Sequence, residues 1–181
     1  IAIGGMVLTS AVNRYGTYFL AGFTAMNKLY GVLEISAVSY GYAMVTYTGQ
    51  NYGAGRYDRI KSGVKKVVLL SLATSILISI ILWIFGPFFL SCFISKTSEG
   101  AKQAMTYGLT FLRCLTAFLP ILYLLHAYRS TIQGLSNALI PMVSGLFELF
   151  MRISGALFLP IFFGKAGLYP VEVLAWVGAV V

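Results

Sequence analysis

The residues of this chain with the most chemical capacity are ionisable side chains set inside apolar runs. Glu34 lies in the middle of such a run with no basic residue three or four positions on, and Glu148 and Arg152 stand four apart with the acid first. That order favours a same-face pair on a helix. Lys28, Arg113 and His126 are similarly embedded. A charge at the centre of a bilayer costs about 2.5 to 3.5 kcal/mol on insertion scales, so each such residue needs a partner or a task.

For Glu34 the task is exchange of a proton or contact with a cationic substrate. The plainer alternative is an ion pair or hydrogen bond to Lys28 or to another helix. Glu148 and Arg152 either neutralise each other and hold their helix against its neighbours, or touch substrate directly. Lys28 snorkels or pairs with a carbonyl. Arg113 sits deep in its run and is expected to face the bundle, as a switchable partner for a carboxylate or as a structural contact. His126, the single histidine, reads as a helix-end contact before a proton relay. Tyr30, Tyr40, Tyr42 and Tyr47 line an aromatic pocket for an organic cation, or they pack as core and interfacial aromatics.

No catalytic or cofactor pattern accompanies them. The chain has no His-Glu-x-x-His, no clustered cysteines, no phosphate-cradling glycine loop and no serine elbow, so an enzyme, a bound metal and a cofactor are not expected. Cys92 and Cys114 fall in different runs and read as buried, reduced small hydrophobes.

The elements that must position these groups are set by composition. Apolar residues make up 59% of the sequence, charged residues 10%, and mean hydropathy is +0.85, against about 25% charged in a soluble domain. The fold class expected is all-α, a polytopic membrane helix bundle. Of thirteen basic residues, Arg56, Arg59, Lys61, Lys65 and Lys66 cluster in one stretch, faced only by Asp58. A short cationic link between apolar runs stays on the cytoplasmic side. The net charge of +8 finds its partner in the lipid bilayer's inner surface, because nucleic acid requires a broad exposed basic face.

Taken in order, Ile1 to about Val12 is the tail of a span, closed by the turn Asn13-Arg14-Tyr15-Gly16. Tyr18 to Tyr47 is a second segment of thirty residues, about 45 Å as helix against a hydrocarbon core of about 30 Å. Gly49, Gly53 and Gly55 then let the chain turn, by positive φ or close approach, with Gln50 and Asn51 as helix-end caps. Val67 to Ile94 carries no charge and is a third span, kinked or ended near Gly86-Pro87. The link from Ser95 to Gln103 is external. Ala104 to Tyr128 is a fourth segment, bent near Leu119 because Pro120 removes a backbone donor and frees a carbonyl that neighbouring helices must cover. Gly134 stops that helix, Ser136 or Asn137 caps the next, Ala138 to Phe163 is a fifth segment, and a sixth follows Pro170. Arg129 counts with the cytoplasmic turn and Glu172 with the external connections. Both ends fall inside apolar runs, so the sequence reads as a piece of a longer membrane protein.

The string Gly49-Gln50-Asn51-Tyr52-Gly53-Ala54-Gly55-Arg56-Tyr57-Asp58-Arg59 resembles the hallmark of the multidrug and toxic compound extrusion (MATE) transporters. Gly22-Phe-Thr-Ala-Met-Asn-Lys28, Ser130-Thr-Ile-Gln-Gly134 and Glu148-Leu-Phe-Met-Arg152 extend the likeness to nearly the whole chain. The resemblance implies most of the carboxy-terminal six-helix lobe of a twelve-helix exporter, residues 1–181, truncated in its first and last helices. It implies an organic cation or other amphipathic drug as substrate, an H⁺ or Na⁺ gradient as driving force, a missing amino-terminal lobe as partner, and a bacterial-type cell membrane as location. One subgroup places a cation-binding carboxylate on the tenth helix, near Leu122, where this sequence has no acid. Near Glu34-Ile35 many relatives read Gln-Pro. A lipid-linked oligosaccharide flippase of the same superfamily is the alternative, lowered by the isolation of Arg113 and Arg152 from each other. A non-transporting membrane scaffold or an intramembrane enzyme explains the buried charges less well.

Overall fold

A computed structural model describes residues 2–94 and 99–180. They form α1 (Ala2–Asn13), α2 (Thr17–Gly53), α3 (Tyr57–Ser91), α4 (Ala101–Ala117), α5 (Leu119–Gly134), α6 (Leu139–Phe163), a 3-10 turn (Gly164–Leu168) and α7 (Val171–Val180), with no strand among the described residues. Ser95 to Ser98, part of the link expected outside the membrane, lie outside the described residues. Among the described residues two stretches are long and apolar enough to cross a bilayer, α3 and the continuous run Leu139–Leu168. The bent pair α4 and α5, 50° apart, makes a third if counted as one span.

The second segment runs further than expected. α2 holds 37 residues, about 55 Å, so Gly49, Gln50, Asn51 and Gly53 are helical and do not form the turn. The tail of α2 packs closely on the tail of α5, where the glycine that the contact requires is Gly134. A methyl at Gly134 would stand 2.6 Å from Thr48 Cβ and 2.8 Å from the Val45 carbonyl. Asn51 donates from Nδ2 to the Tyr47 carbonyl at 2.7 Å, and its own carbonyl accepts the Arg56 amide at 2.8 Å. The left-handed residue of this corner is Gly55, φ +68°. The basic cluster is correspondingly helical: Arg59, Lys61, Lys65 and Lys66 lie in the first turns of α3, with Arg56 just before it.

Pro120 bends the fourth segment as its chemistry requires. The chain breaks at Phe118 between α4 and α5, and the carbonyl left without the Pro120 donor is that of Thr116, four residues back. Ser79 of α3 covers it, donating from Oγ at 2.7 Å, and the Trp83 indole donates to Thr116 Oγ1 at 3.0 Å. Pro87, by contrast, does not end α3, which continues to Ser91. Asn137 caps α6, its Oδ1 accepting the Leu139 and Ile140 amides at 3.2 and 3.3 Å.

α2 is the central post, in contact with α1, α3, α4 and α5. At its crossing with α4, a Cβ on Gly22 would lie 2.5 Å from the Ala104 carbonyl and 2.8 Å from the Gly108 nitrogen. Phe19, Tyr107, Phe111 and Tyr169 close one end of the bundle, with Phe111 and Tyr169 edge to face at 4.5 Å. The open faces of two neighbouring helices differ. α2 exposes Thr17, Thr24, Lys28, Ser39, Tyr42 and Thr46, with Val32 and Ile35 between them, whereas α3 exposes Leu70, Ile76, Leu77, Ile80, Ile84 and Phe88. Neither cysteine is fully buried: Cys114 is half-buried and Cys92 exposed, and both are free thiols.

Candidate functional site

The i, i+4 spacing of Glu148 and Arg152 places both on the inner face of α6, where each is about 95% buried. Arg152 Nη2 donates to Glu148 Oε1 at 3.0 Å. The other carboxylate oxygen, Oε2, accepts from Arg129 Nη2 of α5 at 3.1 Å. Arg129 Nη2 also donates to Ser144 Oγ at 2.8 Å, and that hydroxyl donates to the Ala179 carbonyl of α7 at 2.6 Å. On the far side Arg152 Nη2 meets Glu172 Oε2 of α7 at 2.8 Å. The contact is an ion pair without hydrogen-bond alignment, so Glu172 Oε2 is left without a hydrogen bond, as are Arg129 Nε, Arg152 Nε and Trp176 Nε1. Two guanidinium and two carboxylate groups thus alternate along a chain stitching α5, α6 and α7, and their formal charges cancel.

α1 closes over this chain at Gly4, whose Cβ would stand 3.0 Å from Arg152 Cδ. α2 reaches it through Tyr30, which stacks on buried Trp176 at 5.9 Å between ring centroids, 18° from parallel. Tyr30 lies within electrostatic range of Glu34, Glu148, Arg152 and Glu172. Glu34, one turn further along α2, is half-buried and borders a shallow groove with Gly31, Ile35, Val38, Ser39 and Tyr42. Among the described residues no ion pair is made by Glu34. Its carboxyl group thus differs from those of Glu148 and Glu172, each of which has a guanidinium partner.

The remaining candidates stand apart from this centre. Lys28 is exposed, beside Thr24 and Phe93. Arg113, expected to face the bundle, is instead exposed on α4, because Phe111, Leu112 and Leu115 take the packed side of that helix. His126 Nδ1 lies 3.0 Å from the Leu122 carbonyl of its own helix. The family-motif residues Gly49, Gln50, Asn51, Gly53, Gly55 and Arg59 form the α2–α3 corner, away from the buried charges.

Two members of the chain were missed by sequence reasoning. The sequence pattern puts Arg129 in a turn and Glu172 in a connection, whereas both point into the protein, from α5 and from the first turn of α7. A signal for Arg129 existed. Arg129 and Ser144 are equally far from the middle of the turn between α5 and α6, and Glu148 is one helical turn beyond Ser144, so an antiparallel helix pair brings all three together. No such symmetry relates Arg152 to Glu172, since the 3-10 turn intervenes.

The sequence profile of the MatE family matches residues 1–158. A Bacillus subtilis (strain 168) protein described as probable multidrug resistance protein YpnP is 26% identical over 119 residues, covering 66% of this chain and 26% of that protein. The similarly described YoeA of the same strain is 25% identical over 96 residues, covering 53% of this chain and 21% of that protein. A solved structure of a MOP superfamily transporter from Pyrococcus furiosus Vc1 (DSM3638) superposes with a TM-score of 0.86 at 17% identity, over 99% of this chain and 39% of that one. Its binding pocket has been described as reversed in polarity, suggesting a different function; the likeness to the present chain is one of fold. The matched part is well under half the length of each of these proteins.

Proposed function

Because this chain belongs to the MatE family of membrane transporters, we propose that it forms the carboxy-terminal lobe of a cation-coupled multidrug exporter, an antiporter of the bacterial cell membrane. The observation that carries the coupling role is the contrast between Glu34 and its neighbours. Glu148 and Glu172 each have a guanidinium partner, whereas Glu34 has none among the described residues. A carboxylate in that position lowers its own cost by taking up a proton or by meeting a cation.

Mutually exclusive occupancy then gives exchange. In one state Glu34 is protonated and neutral. In the other it is ionised and faces a positively charged drug, with the exposed Tyr42 ring about two helical turns along the same groove for cation–π contact. Alternation between the two states accompanies rocking of this lobe against a second, amino-terminal one around a central cavity. The balanced chain Arg129–Glu148–Arg152–Glu172 holds α5, α6 and α7 together as a unit that can move as one body. We favour the proton as coupling ion in this lobe, because a single carboxylate is neutralised by one proton without further ligands.

The test uses the full-length transporter in liposomes, with efflux of a cationic dye measured under a pH gradient and, separately, under a Na⁺ gradient. A pH gradient should drive efflux and Glu34→Gln should uncouple it. Wild-type transport by Glu34→Gln at every pH would remove Glu34 from the mechanism, and efflux driven by Na⁺ alone would replace the proton.

A further inference from the structure

The basic corner before α3 has a depth as well as a charge. Residues 67–91 carry no charged side chain and span about 37 Å as helix, enough to fill a hydrocarbon core of about 30 Å. Lys66 therefore stands at the edge of the core and the turns before it lie among lipid headgroups. Arg59, Lys66 and Leu70 are seven and then four residues apart, which aligns them on one flank of the helix, and all three are exposed. Asp58 shares the opposite flank with Lys61 and Lys65, so the Arg59 flank faces no acid of its own helix.

This flank is held in place from α2. The Tyr47 hydroxyl donates to the Arg59 carbonyl at 3.0 Å, and Gly63 lies so close to the Tyr47 ring that any larger residue there would run into it. Tyr52 and Tyr57, both exposed, pair edge to face at 6.0 Å beside it, the kind of aromatic that settles at headgroup level. From outside inward the flank reads guanidinium, ammonium, leucine, which is the order phosphate and then acyl chain of a phospholipid.

We propose that the Arg59–Lys66–Leu70 flank of α3 is a binding site for an anionic phospholipid, its phosphate held between Arg59 and Lys66 and its acyl chain lying along Leu70. The proposal rests on the membrane placement of α3 and not on the coupling role of Glu34, so the two stand or fall separately. A guanidinium offers the phosphate two parallel donors, and the lysine adds a point charge.

The experiment uses the full-length transporter reconstituted with phosphatidylcholine alone or with added phosphatidylglycerol, extracted gently, and weighed by native mass spectrometry for retained lipid. Wild type should retain phosphatidylglycerol in preference to phosphatidylcholine. At about fivefold per cation near the surface, Arg59→Gln/Lys66→Gln should lower that retention by roughly twentyfold or more. Arg59→Lys/Lys66→Arg, which keeps both charges, and Lys102→Gln, at the start of α4, should leave it within about twofold of wild type. Equal retention by Arg59→Gln/Lys66→Gln and wild type overturns the proposal, as does equal retention of the two lipids. Displacement of the lipid by millimolar glycerol 3-phosphate would also overturn it, by showing a free phosphate ester to be the ligand.

Discussion

Arg152 of α6 and Glu172 of α7 meet at 2.8 Å, and the same Arg152 nitrogen serves Glu148 at 3.0 Å. One guanidinium thus holds two carboxylates on two helices, and removing it is not equivalent to removing either acid. Arg152→Leu leaves Glu172 without a cation while Glu148 keeps Arg129. Breaking a buried pair from one side costs about 3 to 5 kcal/mol. Arg152→Leu/Glu172→Leu leaves Arg129 and Glu148 as a balanced pair and should recover most of that loss. Equilibrium unfolding in mixed micelles measures both; additive losses in the double variant would show that the two residues are not coupled.

A second prediction concerns the bend between α4 and α5. Ser79→Ala leaves the Thr116 carbonyl without the donor that replaces the missing Pro120 amide, at a cost of about 1 to 3 kcal/mol. In a Pro120→Ala background an amide is again available to that carbonyl. Ser79→Ala should then cost less than half as much by thermal unfolding, and an unchanged cost would assign the serine another role.

How far the sequence discloses this architecture depends on the kind of information each feature needs. Segment positions follow from runs of apolar residues, and the Pro120 bend follows from a missing N–H. The Glu148–Arg152 pair follows from spacing along one helix. Azimuth is a different matter: depth within an apolar run says nothing about which side of a helix a residue occupies, and this is why Arg113 turns out exposed. Arg129 and Glu172 are partners of α6 across helix–helix seams, and only packing places them. The tail of α2 runs on because glycine's cost in a helix, about 0.5 to 1 kcal/mol each, is small beside the packing of Val45 and Thr48 on Gly134, which no local pattern announces.

Glycines should therefore separate by what surrounds them. Gly22→Ala pushes a methyl into the backbone of α4 and should destabilise by about 1 to 3 kcal/mol. Gly53→Ala meets nothing within 4 Å in a helical position and should be neutral or stabilising by up to about 1 kcal/mol. Comparing the two melting temperatures, a similar loss from both would refute the packing argument.

Gly55 supplies a third category, since its constraint is backbone conformation and not space. Nothing lies within 4 Å of its missing Cβ, but φ is +68°. Gly55→Ala should cost about 1 to 2 kcal/mol, and Gly55→Asn less, because asparagine tolerates that region. Equal losses from the two substitutions would mean that the corner does not depend on a left-handed residue.

The differing open sides of α2 and α3 give the bundle two unlike faces. Hydroxyls, an amine and a phenol in the two halves of α2, either side of exposed Val32 and Ile35, sit poorly against oil, whereas the leucines, isoleucines and phenylalanine of α3 are at home there. A second lobe of the kind proposed above would have to leave the polar turns of α2 wetted and the α3 side greasy. On the transport function proposed above, a passenger molecule would pass the wettable turns of this one long helix.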